Sequence, residues 1–314
     1  MADTYKFLIT GGAGYLGSVM VQELLERGHR VTAIDNLMFA QTSLAGVCHY
    51  PDFDFVNGDA RLAETMRPLV KDADVVVPLA ALVGAPMCDK SPMDAESINR
   101  DALLMLLDML STEQRVLLPI TNSGYGVGEA GKFCTEESPL RPVSLYGRLK
   151  VETEVRALER ENTVSFRLAT VFGMSPRMRT DLLVNDFVFR AVKDRAVVLF
   201  ESHFKRNYIH IRDVSRAFIH ALENFETMKG EPYNVGLSDA NISKFELCEK
   251  IAEHVPGFTF IEAPIGEDPD KRDYIVSNEK IEATGFMPAY SLDEGIVELI
   301  KGYRMLPKSM RGNV

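Results

Sequence analysis

The chain has 314 residues, enough for one large or two interleaved domains with a sizeable buried core. With 46% hydrophobic and 25% charged residues, 22 Gly and 15 Pro, its composition is that of an ordinary globular fold and excludes a disordered, collagen-like or disulfide-stapled chain. Its 45 acidic against 35 basic side chains give a formal charge of −10, which excludes a broad nucleic-acid or anionic-membrane surface, so any anionic ligand has to be met locally.

In chain order, apolar runs of strand length fall at Phe7 to Thr10, Val31 to Ile34, Phe53 to Val56, Val75 to Pro78, Val116 to Thr121 and Val164 to Leu168. Between them Leu16 to Arg27, Ala95 to Leu110 and Tyr146 to Arg160 carry apolar residues at three- and four-residue spacing. This alternation predicts an α/β fold, a doubly wound parallel sheet covered by helices on both faces. After Gly173 the pieces shorten, with helices expected near Leu182 to Lys193, Val214 to Asn224 and Lys244 to His254, which predicts a smaller C-terminal α/β lobe. The expected division is a dinucleotide-binding domain over 1–175, rejoined by 206–237, and a second lobe from 176–205 and 238–306. A basic tail, 307–314, lacks apolar period and is expected to fray.

Four scattered cysteines, Cys48, Cys88, Cys134 and Cys248, form no CxxC pair, so buried thiols are expected rather than disulfides or a metal site. The most apolar stretch, Val75 to Met87, is too short to cross a membrane and is broken by Pro78, Gly84 and Pro86. The first residues run directly into a strand pattern with no leader-like apolar core, and a cytoplasmic location is the expectation.

Gly11-Gly12-Ala13-Gly14-Tyr15-Leu16-Gly17 follows the first strand and opens the first helix, the context of a dinucleotide loop. Gly11 suits the tight turn, Gly14 the approach of backbone to pyrophosphate and Gly17 close packing of helix on strand, with the helix N-terminus supplying unpaired N–H groups. Asp35 ends the second strand where the ribose-binding acid belongs. Its carboxylate would accept from both ribose hydroxyls and repel a 2′-phosphate, which favours NAD over NADP. Asp59, after the third strand, is placed to meet the adenine edge.

Together with Asn36-Leu37, Leu79-Ala80-Ala81, Thr121 to Gly126, Tyr146-Gly147-Arg148-Leu149-Lys150, Arg167 to Gly173 and Arg206 to Val214, these motifs resemble the extended short-chain dehydrogenase/reductases, specifically their NAD-dependent sugar-nucleotide epimerase/dehydratase branch, over nearly the whole chain. The resemblance implies a catalytic set of Thr121, Tyr146 and Lys150. Tyr146 and Lys150, four apart on one helix face, bring an ammonium near a phenol whose ordinary pKa is about 10. Lowering it by about three units takes roughly 4 kcal/mol, which one charge at about 4 Å supplies at an effective dielectric of about 20, so Lys150 alone is expected nearly to suffice. Further cofactor contacts implied are Tyr15, Leu16, Asn36, Ala60, Leu79, Ala80, Ala81 and Asn99; implied substrate contacts are Val83, Ser123, Asn185, Arg206 and Arg272. His210 reads as a structural histidine.

Where the 4,6-dehydratases of the branch carry an acid and the 3,5-epimerases a cysteine, this chain has Ser123, an unactivated hydroxyl unsuited to acid/base work near neutrality. Pro78 and Thr170 are further departures, from histidine and asparagine. The expectation is therefore redox chemistry at C4 of a GDP- or UDP-linked sugar through a 4-keto sugar, as a C4 epimerase or dehydrogenase. The alternatives are a 4,6-dehydratase and a non-catalytic NAD-sensing protein. Leu82 to Pro86, Ser175 to Arg179 and Gly266 to Tyr274 resemble GDP-heptose 4-dehydrogenases, which implies a GDP-mannose- or GDP-heptose-like substrate. The branch also implies a homodimer through the helices near Ala95 to Leu110 and Tyr146 to Arg160, where Leu103, Leu106, Leu107 and Leu110 are expected to exceed what one sheet face needs.

Overall fold

A computed structural model describes residues 4–129, 131–263 and 272–306. Its first part runs β1 (Lys6–Thr10), α1 (Tyr15–Glu26), β2 (Arg30–Asp35), β3 (Phe53–Asn57), α2 (Ala63–Asp72), β4 (Val75–Pro78), α3 (Ala85–Lys90), α4 (Pro92–Glu96), α5 (Ala102–Met109), β5 (Arg115–Thr121), β6 (Phe133–Cys134), α6 (Leu145–Ala157) and β7 (Thr163–Leu168). There follow β8 (Thr170–Phe172), α7 (Leu183–Lys193), β9 (Ala196–Leu199), β10 (Lys205–His210), α8 (Ile211–Glu223), α9 (Phe225–Met228) and β11 (Pro232–Val235). The described chain ends with β12 (Asn241–Ser243), α10 (Lys244–His254), β13 (Thr259–Glu262), β14 (Ile275–Val276), α11 (Glu279–Glu282) and α12 (Leu292–Met305). The tail at 307–314 and most of Gly266 to Tyr274 lie outside the described residues.

Seven strands form one sheet in the order β11-β7-β5-β4-β1-β2-β3, every pairing parallel. Alternate residues of each strand face opposite sides, and both sides are apolar. Phe7, Ile9, Val31, Val75 and Val77 pack into the core on the α1 and α8 side. Leu8, Ile34, Val76, Val116 and Leu118 pack against Met66 and Val70 of α2 and Leu103, Leu106 and Leu107 of α5. Leu103, Leu106, Leu107 and Leu110 are thus buried within their own chain, not surplus to it. The helix expected over Ala95 to Leu110 is interrupted by a π-helical turn, Ser97–Asp101.

The late return to the first sheet is narrower than the pattern suggested. β11 joins the edge beside β7, whereas β10 forms a small sheet with β8 and β12, and α8 packs on α1. In the smaller lobe α7, α10 and α12 pack together and β9 pairs with β13. Helices α10 and α12 each open with a reciprocal capping box, Ser243 with Glu246 and Ser291 with Glu294. His210 is buried and structural: its Nδ1 accepts from Arg212 N and its Nε2 lies 2.7 Å from a Glu298 oxygen. All four cysteines are free, and Cys48 is exposed. Among the described residues no helix is long and apolar enough to cross a membrane.

Candidate active site

Strand order reverses between β1 and β4, and a crevice opens there at the carboxyl ends of the strands. It encloses about 300 Å³ and extends from the loop after β2 to the start of α6. Gly11 turns the chain out of β1 with φ +69°; a side chain there would put its Cβ 2.7 Å from Ala80 N, so only glycine lets this turn lie on the Leu79–Ala81 segment after β4. Gly17 is equally confined, 2.6 Å from Gly12 O to a hypothetical Cβ. Helix α1 begins at Gly14 without a side-chain cap, and Gly14, Tyr15, Leu16 and Gly17 line the crevice. Uncapped first-turn N–H groups beside a small-residue cradle fit a dinucleotide pyrophosphate.

Asp35 lines the same crevice. Its Oδ2 accepts from Ala13 N at 3.1 Å and its Oδ1 from Leu37 N at 2.9 Å and Gln41 Nε2 at 3.1 Å. Burial raises its pKa above the ordinary carboxylate value, opposed by these donors. A carboxylate has about four acceptor positions, so two backbone donors leave room for a ribose diol once the Gln41 amide turns aside. Asn36, Ala60, Leu79, Ala80, Ala81 and Val83 also line the crevice, as does Asp59. The Asp59 carboxylate is bound by Arg61 at 2.6 Å, which holds it below the usual range.

Thr121, Tyr146 and Lys150 meet at the other end. Thr121 closes β5; its Oγ1 accepts from Ser123 N at 3.1 Å and lies 2.8 Å from Ser123 Oγ. Tyr146 and Lys150 occupy successive turns of α6, which Ser144 caps through Gly147 N. Glu154, one turn further on, forms a buried bidentate pair with Arg167 of β7, and Arg167 reaches Tyr125 Oη at 3.1 Å, whose hydroxyl donates to Asn234 of β11. Helix α6 is thereby tied to β7 and, through Tyr125 in the turn after β5, to β11.

Burial holds the Tyr146 phenol up at about 12, against the pull of the Arg179 and Arg272 guanidiniums. Burial also pushes Lys150 down to about 8, and its Nζ donates to Pro119 O at 3.4 Å. The expectation that Lys150 alone nearly suffices therefore gives way: bringing Tyr146 from about 12 to neutrality takes about 7 kcal/mol, roughly two nearby charges rather than one. Lys150 at about 8 still carries its proton at neutral pH and supplies one of them.

Four expected contacts do not line the crevice. Asn185 is fully buried: its Oδ1 accepts from Gly173 N, and its Nδ2 donates to Tyr15 Oη and Arg179 O. Asn99 pins the Leu82 backbone by both ends of its amide, at 2.8 Å each. Ser123 is buried behind Thr121, and Arg206, buried too, lies over the Tyr274 ring at 5.7 Å. Arg272 does line the crevice, joined by Arg177, Arg179 and Tyr274, which the motif reading did not assign. The available signal was Ser-Pro-Arg-Met-Arg directly after the second lobe begins, two cations in a chain of net charge −10. Away from the crevice Glu253, His254 and Asp293 gather three potential metal-ligand atoms, but the Lys250 ammonium, 2.8 Å from Asp293, already answers that charge.

A doubly wound sheet, a glycine cradle with an acid at the end of β2, and a Tyr/Lys helix beside a strand-end threonine define an NAD-binding enzyme of the extended short-chain dehydrogenase/reductase type. The model of the NAD dependent epimerase/dehydratase family matches residues 7–236, and the chain belongs to that family. It is 32% identical to the low-salt glycan biosynthesis protein Agl12 of Haloferax volcanii, over 94% of this chain and 97% of that protein. It is 26% identical to a dTDP-glucose 4,6-dehydratase of Streptomyces niveus, covering 95% and 93%. The UDP-glucose 4-epimerase of Thermus thermophilus, solved in complex with NAD, superposes with a TM-score of 0.81 at 25% identity, covering 96% and 100%. The protein is thus an NAD-dependent enzyme of a family of sugar-nucleotide epimerases and dehydratases.

Proposed function

We propose that the enzyme oxidises C4 of a nucleotide-diphosphate sugar to a 4-keto sugar, acting as a C4 epimerase or C4 dehydrogenase. One observation carries this reading. Among the described residues that line the crevice the only carboxylates are Asp35, at the end of β2, and Asp59, in the loop after β3, while the Tyr146 end holds hydroxyls and cations. Elimination of water across C5 and C6 needs an acid/base beside the sugar; the resemblance matches that group's sequence position to Ser123, a hydroxyl that is itself buried behind Thr121 and outside the crevice.

Bound NAD supplies the acceptor for the C4 hydride and a positive charge at the reacting end. The chain does the rest. Thr121 Oγ1 orients the sugar hydroxyl, Tyr146 takes its proton, and protonated Lys150 with Arg179 and Arg272 stabilises the phenolate that makes this possible. Arg272 is in reach to hold the diphosphate, as a planar bidentate donor suits such a group. The likeness of Leu82 to Pro86 and Ser175 to Arg179 to GDP-heptose 4-dehydrogenases favours a GDP-mannose- or GDP-heptose-like sugar over a UDP-linked one.

The test is mass spectrometry of the enzyme incubated with a panel of GDP- and UDP-sugars, one of them deuterated at C4. An epimerase returns deuterium to an inverted product of unchanged mass; a dehydrogenase leaves it on the reduced cofactor. A product lighter by one water refutes the reading. Tyr146→Phe should retain NAD while turnover falls about 10²- to 10⁴-fold; near-normal turnover would refute the role of Tyr146, and an unaltered chain that turns over none of these sugars would favour the NAD-sensing alternative.

A further inference from the structure

We propose that Arg177 is a cofactor-retaining residue, its guanidinium bridging from the segment after β8 to the loop after β2 and closing the Asp35 end of the crevice over bound NAD. The bridge has two anchored ends. On one side Ser175 Oγ donates to Tyr15 O at 2.7 Å, lies 3.0 Å from Ser18 Oγ, and accepts from Arg177 N at 3.2 Å. The segment that presents Arg177 is thus moored to the first turn of α1, beside the glycine cradle. On the other side the guanidinium carbon lies 4.7 Å from the centre of the Phe39 ring, within the loop that begins at Asp35. Arg177, Phe39 and Asp35 line the same crevice.

The charges agree with this placement. Arg177 attracts Asp35; burial and the nearby Arg179 guanidinium disfavour the charge of the half-buried Arg177, and Asp181 and Asp35 oppose both. A planar, weakly hydrated cation can lie on an aromatic face while its edge donates hydrogen bonds, which an ammonium cannot do as well. A dinucleotide held with its ribose at Asp35 would occupy the crevice that Arg177 and Phe39 also line. Its departure requires Arg177 and Phe39 to part, so the pair governs dissociation more than association.

The test uses the full chain loaded with NAD, alongside Arg177→Ala, Arg177→Lys, Phe39→Ala and the Arg177/Phe39 double alanine variant. Release is followed as NAD remaining per chain after rapid gel filtration, and the melting temperature of each cofactor-free protein is recorded. Each single alanine variant should release NAD about tenfold faster than the unaltered chain, the size expected for a partly desolvated cation–aromatic contact. Arg177→Lys should fall between, and the double variant should be no faster than the singles, since either change removes the same contact. Unchanged release from Arg177→Ala, or a double variant whose effect is the product of the two singles, would overturn the proposal. Should Arg177→Ala lose its cofactor-free fold, unchanged release from Phe39→Ala would overturn it equally.

Discussion

Replacing Lys150 by methionine should make the cofactor-free protein more stable while disabling the enzyme. Lys150 is buried, and desolvation brings its pKa from 10.5 to about 8, opposed only by the Cys88 thiol. A shift of about 2.5 units corresponds to about 3 kcal/mol that the fold forgoes to keep the ammonium charged at neutral pH. The bond it gains, to Pro119 O at 3.4 Å, is long and offsets little of this. Methionine fills a similar volume without the charge. The unfolded chain keeps the lysine proton up to pH 10.5 and the folded chain only to about 8, so in that window the unfolded state binds more protons and the unaltered protein gains stability as pH rises. The advantage of Lys150→Met should therefore be complete below about pH 8 and fade towards pH 10.5. Urea denaturation of both proteins, stripped of NAD to exclude ligand linkage, measures it. A variant less stable than its parent near neutrality, or an advantage that does not change with pH, would refute the reasoning.

Asp35→Ala should lower NAD affinity and narrow the preference for NAD over NADP, read by extracting the cofactor from purified protein and by titration with each dinucleotide. Glu154→Ala leaves Arg167 buried without its partner and should cost about 3–5 kcal/mol in chemical denaturation, far more than a surface ion pair such as Lys6–Asp72 is worth. A homodimer through the faces of α5 and α6 remains our expectation from the family's architecture; light scattering at micromolar concentration checks it, and a mass equal to one chain would refute it.

The sheet was readable because its central strands, buried on both faces, are short apolar runs, and each run named before Gly173 became a strand of the seven-stranded sheet, including half-exposed β3 at the edge with Asp54 inside it. Glycines were readable for a related reason: a tight turn or a close approach admits few other residues, so Gly11 and Gly17 announce their geometry locally. Polar contacts were not. Asn99 and Asn185 each carry an amide that can satisfy backbone or ligand equally well, and only the fold decides that Leu82, Gly173 and Arg179 are the partners. The leucines of α5 misled in the same way, since the amount of apolar surface that α2 leaves uncovered is a tertiary quantity. Arg177 and Arg179 sit on irregular chain after β8, where no periodicity marks which side chains turn inward.

The network from Glu154 through Arg167 and Tyr125 to Asn234 has a consequence for the order in which the enzyme is assembled. Asn234 belongs to β11, which is made only after the ribosome has passed α7, β10 and α8. The turn at Gly11, by contrast, has its neighbour in the Leu79–Ala81 segment directly after β4. The glycine turn's immediate neighbour is thus made early, whereas α1 finds its helix partner only in α8, and the helix bearing Tyr146 gains its last anchor only when the distant edge strand closes the sheet. A chain stalled before β11 would carry the crevice residues up to Leu182 yet lack the Asn234 end of the network that holds the helix of Tyr146.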